Sequence, residues 1–153
     1  MSQQIIQILS HNDEFGQWPL EDRINAIREL VKMSLDPTFV FQFFSQRGLI
    51  HVMRLIASGR LHHDYSRMMV ATSNMLNVLG VSQYERKENS MTVRTMHEMY
   101  EEAVRALPVI RAALTEGSPL TKLHAIQLIN ALLKRCEKKT KVGHDKVSVD
   151  PGQ

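Results

Sequence analysis

The sequence predicts an all-α chain: an armadillo/HEAT-like right-handed helical solenoid of about three degenerate repeats. Three observations point there. Apolar residues recur at steps of three and four along most of the chain. Glycines and prolines stand singly between those runs, as helix punctuation does, and not in the clusters that separate strands. Finally, similar helix openings return at distances typical of helical repeats.

Taken in order, Ile5, Ile6 and Leu9 suggest a short first helix, followed by a polar loop from 12 to 16. Phe15 and Trp18 stand where they could staple the entry to the next helix. Pro19 suits a first helical turn, and Leu20, Ile24, Ile27, Leu30 and Val31 then mark one buried face. Asp36-Pro37 starts a short helix, with Asp36 as cap and Phe39, Val40, Phe43 and Phe44 inward. Gly48 is expected to stop it. A further helix with Leu49, Val52, Met53, Leu55 and Ile56 ends at Gly59. The next runs from about 64 to 79 and stops at Gly80, before a polar loop over 81–90. From Thr92 the period resumes through Leu107, where Pro108 is expected to kink or break the helix. Ser118 caps a last helix carrying Leu120, Leu123, Ile126, Ile129, Leu132 and Leu133. Disorder is expected beyond Lys138, which divides the chain into a helical domain over 1–136 and a basic tail over 137–153.

Residues 20–58 hold helix, short helix and helix in 39 residues, close to the roughly 40–47 of armadillo and HEAT units. Ala26, Ala71 and Ala125 mark three similar helix openings, 45 and 54 positions apart, so the repeats are degenerate. The third unit stops after one helix. Solenoids need a polar cap at each end, which makes this chain read as a piece of something longer.

The 153 residues are 43% hydrophobic and 23% charged, ordinary usage for a globular domain. Only 6% are aromatic, so aliphatic residues and methionine must build the core. A net charge of +3 comes largely from Lys134, Arg135, Lys138, Lys139, Lys141 and Lys146, a solvated basic end rather than a recognition surface. One cysteine, Cys136, excludes an intrachain disulfide and favours a reducing compartment. No stretch reads as a membrane span or a signal peptide, and a cytoplasmic protein is expected, with recruitment to the plasma membrane as its route to a membrane.

Chemistry is scarce. His62-His63-Asp64 lacks a third ligand and reads as a loop and helix cap. His97-Glu98 opens like a zinc-protease motif, but position 101 is glutamate where the second histidine should stand. Cys136 has cationic neighbours but no catalytic frame, and the seven glycines form no phosphate loop. The sequence therefore predicts no catalytic residue, metal or cofactor, and no small-molecule substrate. What remains is a surface for a protein partner, with Arg54, Arg60, Arg67 and Arg94 as anchor candidates. A minority of the many methionines could line a groove.

Several stretches resemble a known family. They are Ala26-Ile27-Arg28-Glu29-Leu30-Val31-Lys32-Met33-Ser34, the segment Pro37-Thr38-Phe39 through Phe43, and Gly48-Leu49-Ile50. Leu55-Ile56-Ala57-Ser58-Gly59 follows, with Tyr65-Ser66-Arg67-Met68 and Ala125-Ile126-Gln127-Leu128-Ile129-Asn130-Ala131-Leu132-Leu133. In order and spacing, residues 20–135 resemble the armadillo-like region of the engulfment and cell motility (ELMO) family, with 81–107 matching poorly. The resemblance implies a non-catalytic scaffold that supports DOCK-type Rac activation, actin remodelling, cell migration and engulfment of apoptotic cells. It also implies an upstream Rho- or Arf-type small GTPase as partner, and a DOCK-family exchange factor held by parts of the family's proteins that have no counterpart here. It transfers no single functional residue. Two other readings stay open: a formin-type armadillo regulatory domain that binds a Rho GTPase, and a helical repeat that binds nucleic acid. The second predicts affinity that falls steeply with salt and is lost on deleting residues 134–153.

Overall fold

The computed structural model describes Ile5 and residues 19–59, 65–81 and 90–148, with side chains for most of residues 21–59, 66–80 and 93–134. Expectations that fall on the 12–16 loop, the staple of Phe15 and Trp18, Arg60, His62 to Asp64 and most of the 81–90 loop lie outside the described residues. Six helices follow one another: α1 (Leu20–Met33), α2 (Pro37–Ser45), α3 (Gly48–Ser58), α4 (Tyr65–Val81), α5 (Ser90–Glu116) and α6 (Pro119–Ser148). Among the described residues there is no strand.

Local chemistry explains most of the boundaries. Asp36 caps α2, its carboxylate accepting from the Thr38 amide at 3.0 Å, with Pro37 in the first turn. Ser118 does the same for α6, accepting from the Thr121 amide at 3.3 Å. Gly59 ends α3 with φ 71°, a left-handed conformation that costs glycine nothing. Three boundaries differ from expectation. Gly48 is not a stop. Arg47 takes the left-handed position, φ 67°, and Gly48 opens α3. Its role is steric, because a Cβ there would lie 2.5 Å from the buried Phe43 ring. Gly80 lies one residue inside the end of α4. Pro108 does not end α5, which continues to Glu116. Pro108 and its neighbours Val104 and Leu107 are exposed, so the carbonyl deprived of its amide partner faces water, which can satisfy it. The backbone of α6 is helical through Ser148.

The helices pack as a repeat stack in two rows. α4 lies against α1 and α6, and α3 lies against α5, while the short α2 touches α3, α4 and α5. Ala26, Ala71 and Ala125 fall on α1, α4 and α6, one row of the stack, and all three are buried. Small residues at these crossings let helix axes approach closely. Ala103, Ala106 and Ala113 are likewise buried along α5. The bulk comes from Phe43, Phe44, Ile27, Leu30, Leu49, Ile50, Leu55 and Ile56, with Met53, Met68, Met69, Met75 and Met99 filling between them. Met33 and Met96 are half-buried, so the described methionines form core and not an open groove.

Few polar groups enter this interior, and three of them are satisfied within one turn of the chain. Ser34, Thr72 and Ser73 donate to carbonyls one turn back, those of Val31, Met68 and Val70. Between helices, Asn74 donates to the Ser34 hydroxyl at 3.1 Å, and Ser66 pairs with His124 Nδ1 at 2.7 Å. The first bond fixes α4 against the end of α1, the second α4 against α6.

The Gly48–Phe43 contact makes a measurable prediction. Gly48→Ala should destabilise by about 1–2 kcal/mol through overpacking. Combining it with Phe43→Leu should cost less than the two single changes summed, because the ring is what the new methyl meets. Urea unfolding of the four proteins tests both statements, and additive losses would show that the ring is not the obstacle.

Candidate interaction surface

The packed edge of α3 and α5 carries a cluster of charge. Arg47, the residue before α3, and Arg54 within it are seven residues apart, about two helical turns. On α5, Arg94, Glu98 and Glu102 follow one another at four-residue steps. The two sets meet. Arg47 donates to Glu98, and Arg54 Nε donates to Glu102 Oε1 at 3.2 Å. Arg105, one turn beyond, donates to the same Glu102 oxygen at 2.6 Å.

The two carboxylates differ in surroundings. The Glu102 side chain is only 8% exposed, so the two guanidiniums supply what water cannot. Glu98 sits nearer solvent. Its pKa is held below the ordinary carboxylate value, first by the hydrogen bond from Arg47, against a smaller opposing effect of desolvation, and then by the fields of Arg47, Arg54 and Arg94. Four guanidiniums thus surround two carboxylates, and the cluster keeps an excess of positive charge. Exposed ion pairs contribute only about 0–1 kcal/mol each. The cluster therefore does more to fix how α3 and α5 align, and what they present, than to stabilise the fold.

The sequence-predicted arginines divide three ways. Arg54 and Arg94 come together here, Arg54 as the half-buried partner of Glu102 and Arg94 exposed at the rim. Arg67 is exposed on α4, in the other row. Arg60 lies outside the described residues. Sequence reasoning missed Arg47, Glu98, Glu102 and Arg105. The four-residue steps from Arg94 to Glu102 were a visible signal, but their pairing across 48 and 51 positions was not. His97, set aside as a metal ligand, pairs with Glu101 at 3.0 Å on the exposed side of α5. Among the described residues no group of three or more His, Cys, Asp or Glu side chains is placed to hold a metal ion.

Because its folded-state pKa is lowered, Glu98 stabilises the fold above the unfolded-state pKa, and that contribution is lost as pH falls through the folded value. Glu98→Gln should therefore be less stable than the parent at pH 7. The gap should close on acidification below the ordinary carboxylate range. Thermal midpoints of the two proteins between pH 7 and pH 3 test this, and a gap that persists at the acid end would mean that the ion pair is not its source.

No protein-family model and no solved structure matches the chain. Three curated proteins do. Engulfment and cell motility protein 2 of Homo sapiens is 41% identical over 54 residues, which are 35% of this chain and 8% of that protein. The Mus musculus protein of the same name is 41% identical over 54 residues, 7% of its length, and that of Bos taurus 39% over 54 residues, 8% of its length. The match thus spans less than a tenth of the relatives' own length. Over 54 residues of its length, the chain is thus similar to engulfment and cell motility proteins.

Proposed function

We propose that the chain is a non-catalytic, cytoplasmic protein-interaction scaffold, comparable to the regulatory armadillo region of an engulfment and cell motility adaptor. The observation that carries this reading is the 54-residue likeness to those adaptors in an all-helical stack. Its partner is a small GTPase of the Rho or Arf type. Through the rest of such an adaptor, GTPase binding would support DOCK-type Rac activation, cell migration and engulfment, with recruitment to the plasma membrane by the bound GTPase. No helix among the described residues is long and apolar enough to cross a membrane, which fits attachment through a partner.

Physically, the arginine-rich edge of α3 and α5 suits an acidic protein surface. Arg94 stands exposed at its rim, and Arg47 and Arg54 are already oriented by Glu98 and Glu102. Such preorientation lowers the side-chain entropy lost on binding. Exposed cations at a rim act mainly on the association rate and on its salt dependence.

Purified Rho- and Arf-type GTPases, loaded with GDP or with a non-hydrolysable GTP analogue, should be tested for retention on the immobilised chain. Retention in the GTP state alone is expected. Arg94→Glu and Arg67→Glu, both at exposed positions, should fold normally. The first should weaken that retention by about tenfold, one rim contact converted to repulsion. Equal retention of both nucleotide states, or of none, would remove the GTPase reading. An unaffected Arg94→Glu protein would move the site off this edge.

A further inference from the structure

A strained residue stands in the arginine-rich edge. Among the described residues, Arg47 alone of the non-glycines has a positive φ, 67°. It joins α2 to α3. Its amide donates to the Phe44 carbonyl at 3.0 Å, closing α2, and its carbonyl accepts from the His51 amide at 3.3 Å, opening α3. The left-handed conformation favours glycine, because a Cβ there crowds the following carbonyl. Gly59 takes the same conformation at the end of α3. Arginine at position 47 thus costs stability that glycine would not, which directs attention to its side chain.

That side chain, 44% exposed, donates through Nη2 to Glu98. The two carboxylates of the cluster are held unequally. Glu98 is 30% exposed and, among the described residues, takes one guanidinium. Glu102 is 8% exposed and takes Arg54 and Arg105 on a single oxygen. Withdrawing those two from Glu102 would leave a buried charge without partners. Glu98 can turn to water instead, so its exposed pairing with Arg47 is the weak link of the cluster. The fields of Arg47, Arg54 and Arg94 all reach the Glu98 carboxylate. A carboxylate from outside that took its place would meet the same three cations.

We infer that Glu98 is a displaceable internal counter-ion, standing in for an Asp or Glu of a protein partner, and that Arg47 is the anchor this acidic side chain pairs with. This rests on the edge of α3 and α5 being the interaction surface, and it holds whether or not the partner is a GTPase. Glu98 keeps the Arg47 guanidinium in place and competes with the partner for it, so it sets affinity from within the chain. A partner carboxylate is the fitting occupant because a carboxylate already fills the place. Arg54 and Arg105 stay with Glu102 throughout.

An acetylated hexaglutamate amide should be titrated into the isotope-labelled intact chain at neutral pH and low salt, and followed through the arginine Nε–Hε signals. The Arg47 signal should move. Glu98→Gln should bind the peptide about two- to fivefold more tightly, the strength of one exposed ion pair. Glu101→Gln is the control. It removes the same charge from α5, but Glu101 pairs with His97, so no arginine is released and the gain should be clearly smaller. Arg47→Gly should lose about fivefold or more in affinity. It should nevertheless melt at or above the parent's temperature, because it relieves the backbone as it removes the guanidinium. Circular dichroism establishes that each variant is folded during the titration. The inference is overturned if the peptide leaves the Arg47 signal in place, or if Glu98→Gln gains no more than Glu101→Gln. A DNA oligonucleotide of equal charge that binds more tightly than the peptide also overturns it. So does an Arg47→Gly protein that keeps the parent's affinity, or one that melts below the parent, since the arginine would then be there for the fold. GTPase retention is read separately, so loss of that partner and loss of this anchor are told apart.

Discussion

The structure depends on one helix having to be buried on several sides. α4 packs against α1, α2, α3 and α6, and Met68, Met69, Ala71, Thr72, Ser73, Met75, Leu76 and Leu79 are all buried along it. A helix so enclosed cannot hold an ordinary amphipathic pattern. Its two buried hydroxyl residues, Thr72 and Ser73, are tolerated because each returns its hydrogen bond to its own helix. The flanking helices have simpler tasks. Each needs one apolar face toward α4 or toward its row partner, and the rest of its surface is left to water.

This division explains what the sequence could reveal. Where a helix buries one face, the three-and-four period announces it, as in α1 and α3. Where a side chain or proline chemically determines a boundary, the signal is local: Asp36, Ser118 and Gly59 act as their chemistry requires. The three alanines identified one row of the stack because a close crossing demands a small residue at the same place each time. Boundaries that depend on tertiary context were harder to read. Pro108 is tolerated in α5 because its turn faces solvent, and Gly48 is small because Phe43 crosses above it. Neither fact exists before the helices are packed.

The interaction surface shows the same limit more sharply. Arginines on helices were visible as candidates, but which of them converge depends on the alignment of α3 with α5. That alignment joins Arg47 to Glu98 and Arg54 to Glu102. It also converts Arg54 from a free anchor into a partly structural one, since losing it would leave the buried Glu102 with Arg105 alone. Arg94, by contrast, keeps its exposure while sharing the same field. The resemblance to engulfment and cell motility proteins was legible in stretches of sequence, not in any single side chain, and the comparisons bear it out over 54 residues.

The reliance on methionine has a further chemical consequence. Met53, Met68, Met69, Met75 and Met99 are inaccessible in the folded stack. Oxidation of any of them would place a sulfoxide oxygen among aliphatic side chains with no donor arranged for it. A peroxide can reach these sulfurs only when the rows part. Once oxidised, the helices cannot re-pack as before, so each opening carries a risk of becoming permanent unless a reductase reverses it. Buried thioethers of this kind make the stack a cumulative record of its own unfolding under oxidising stress.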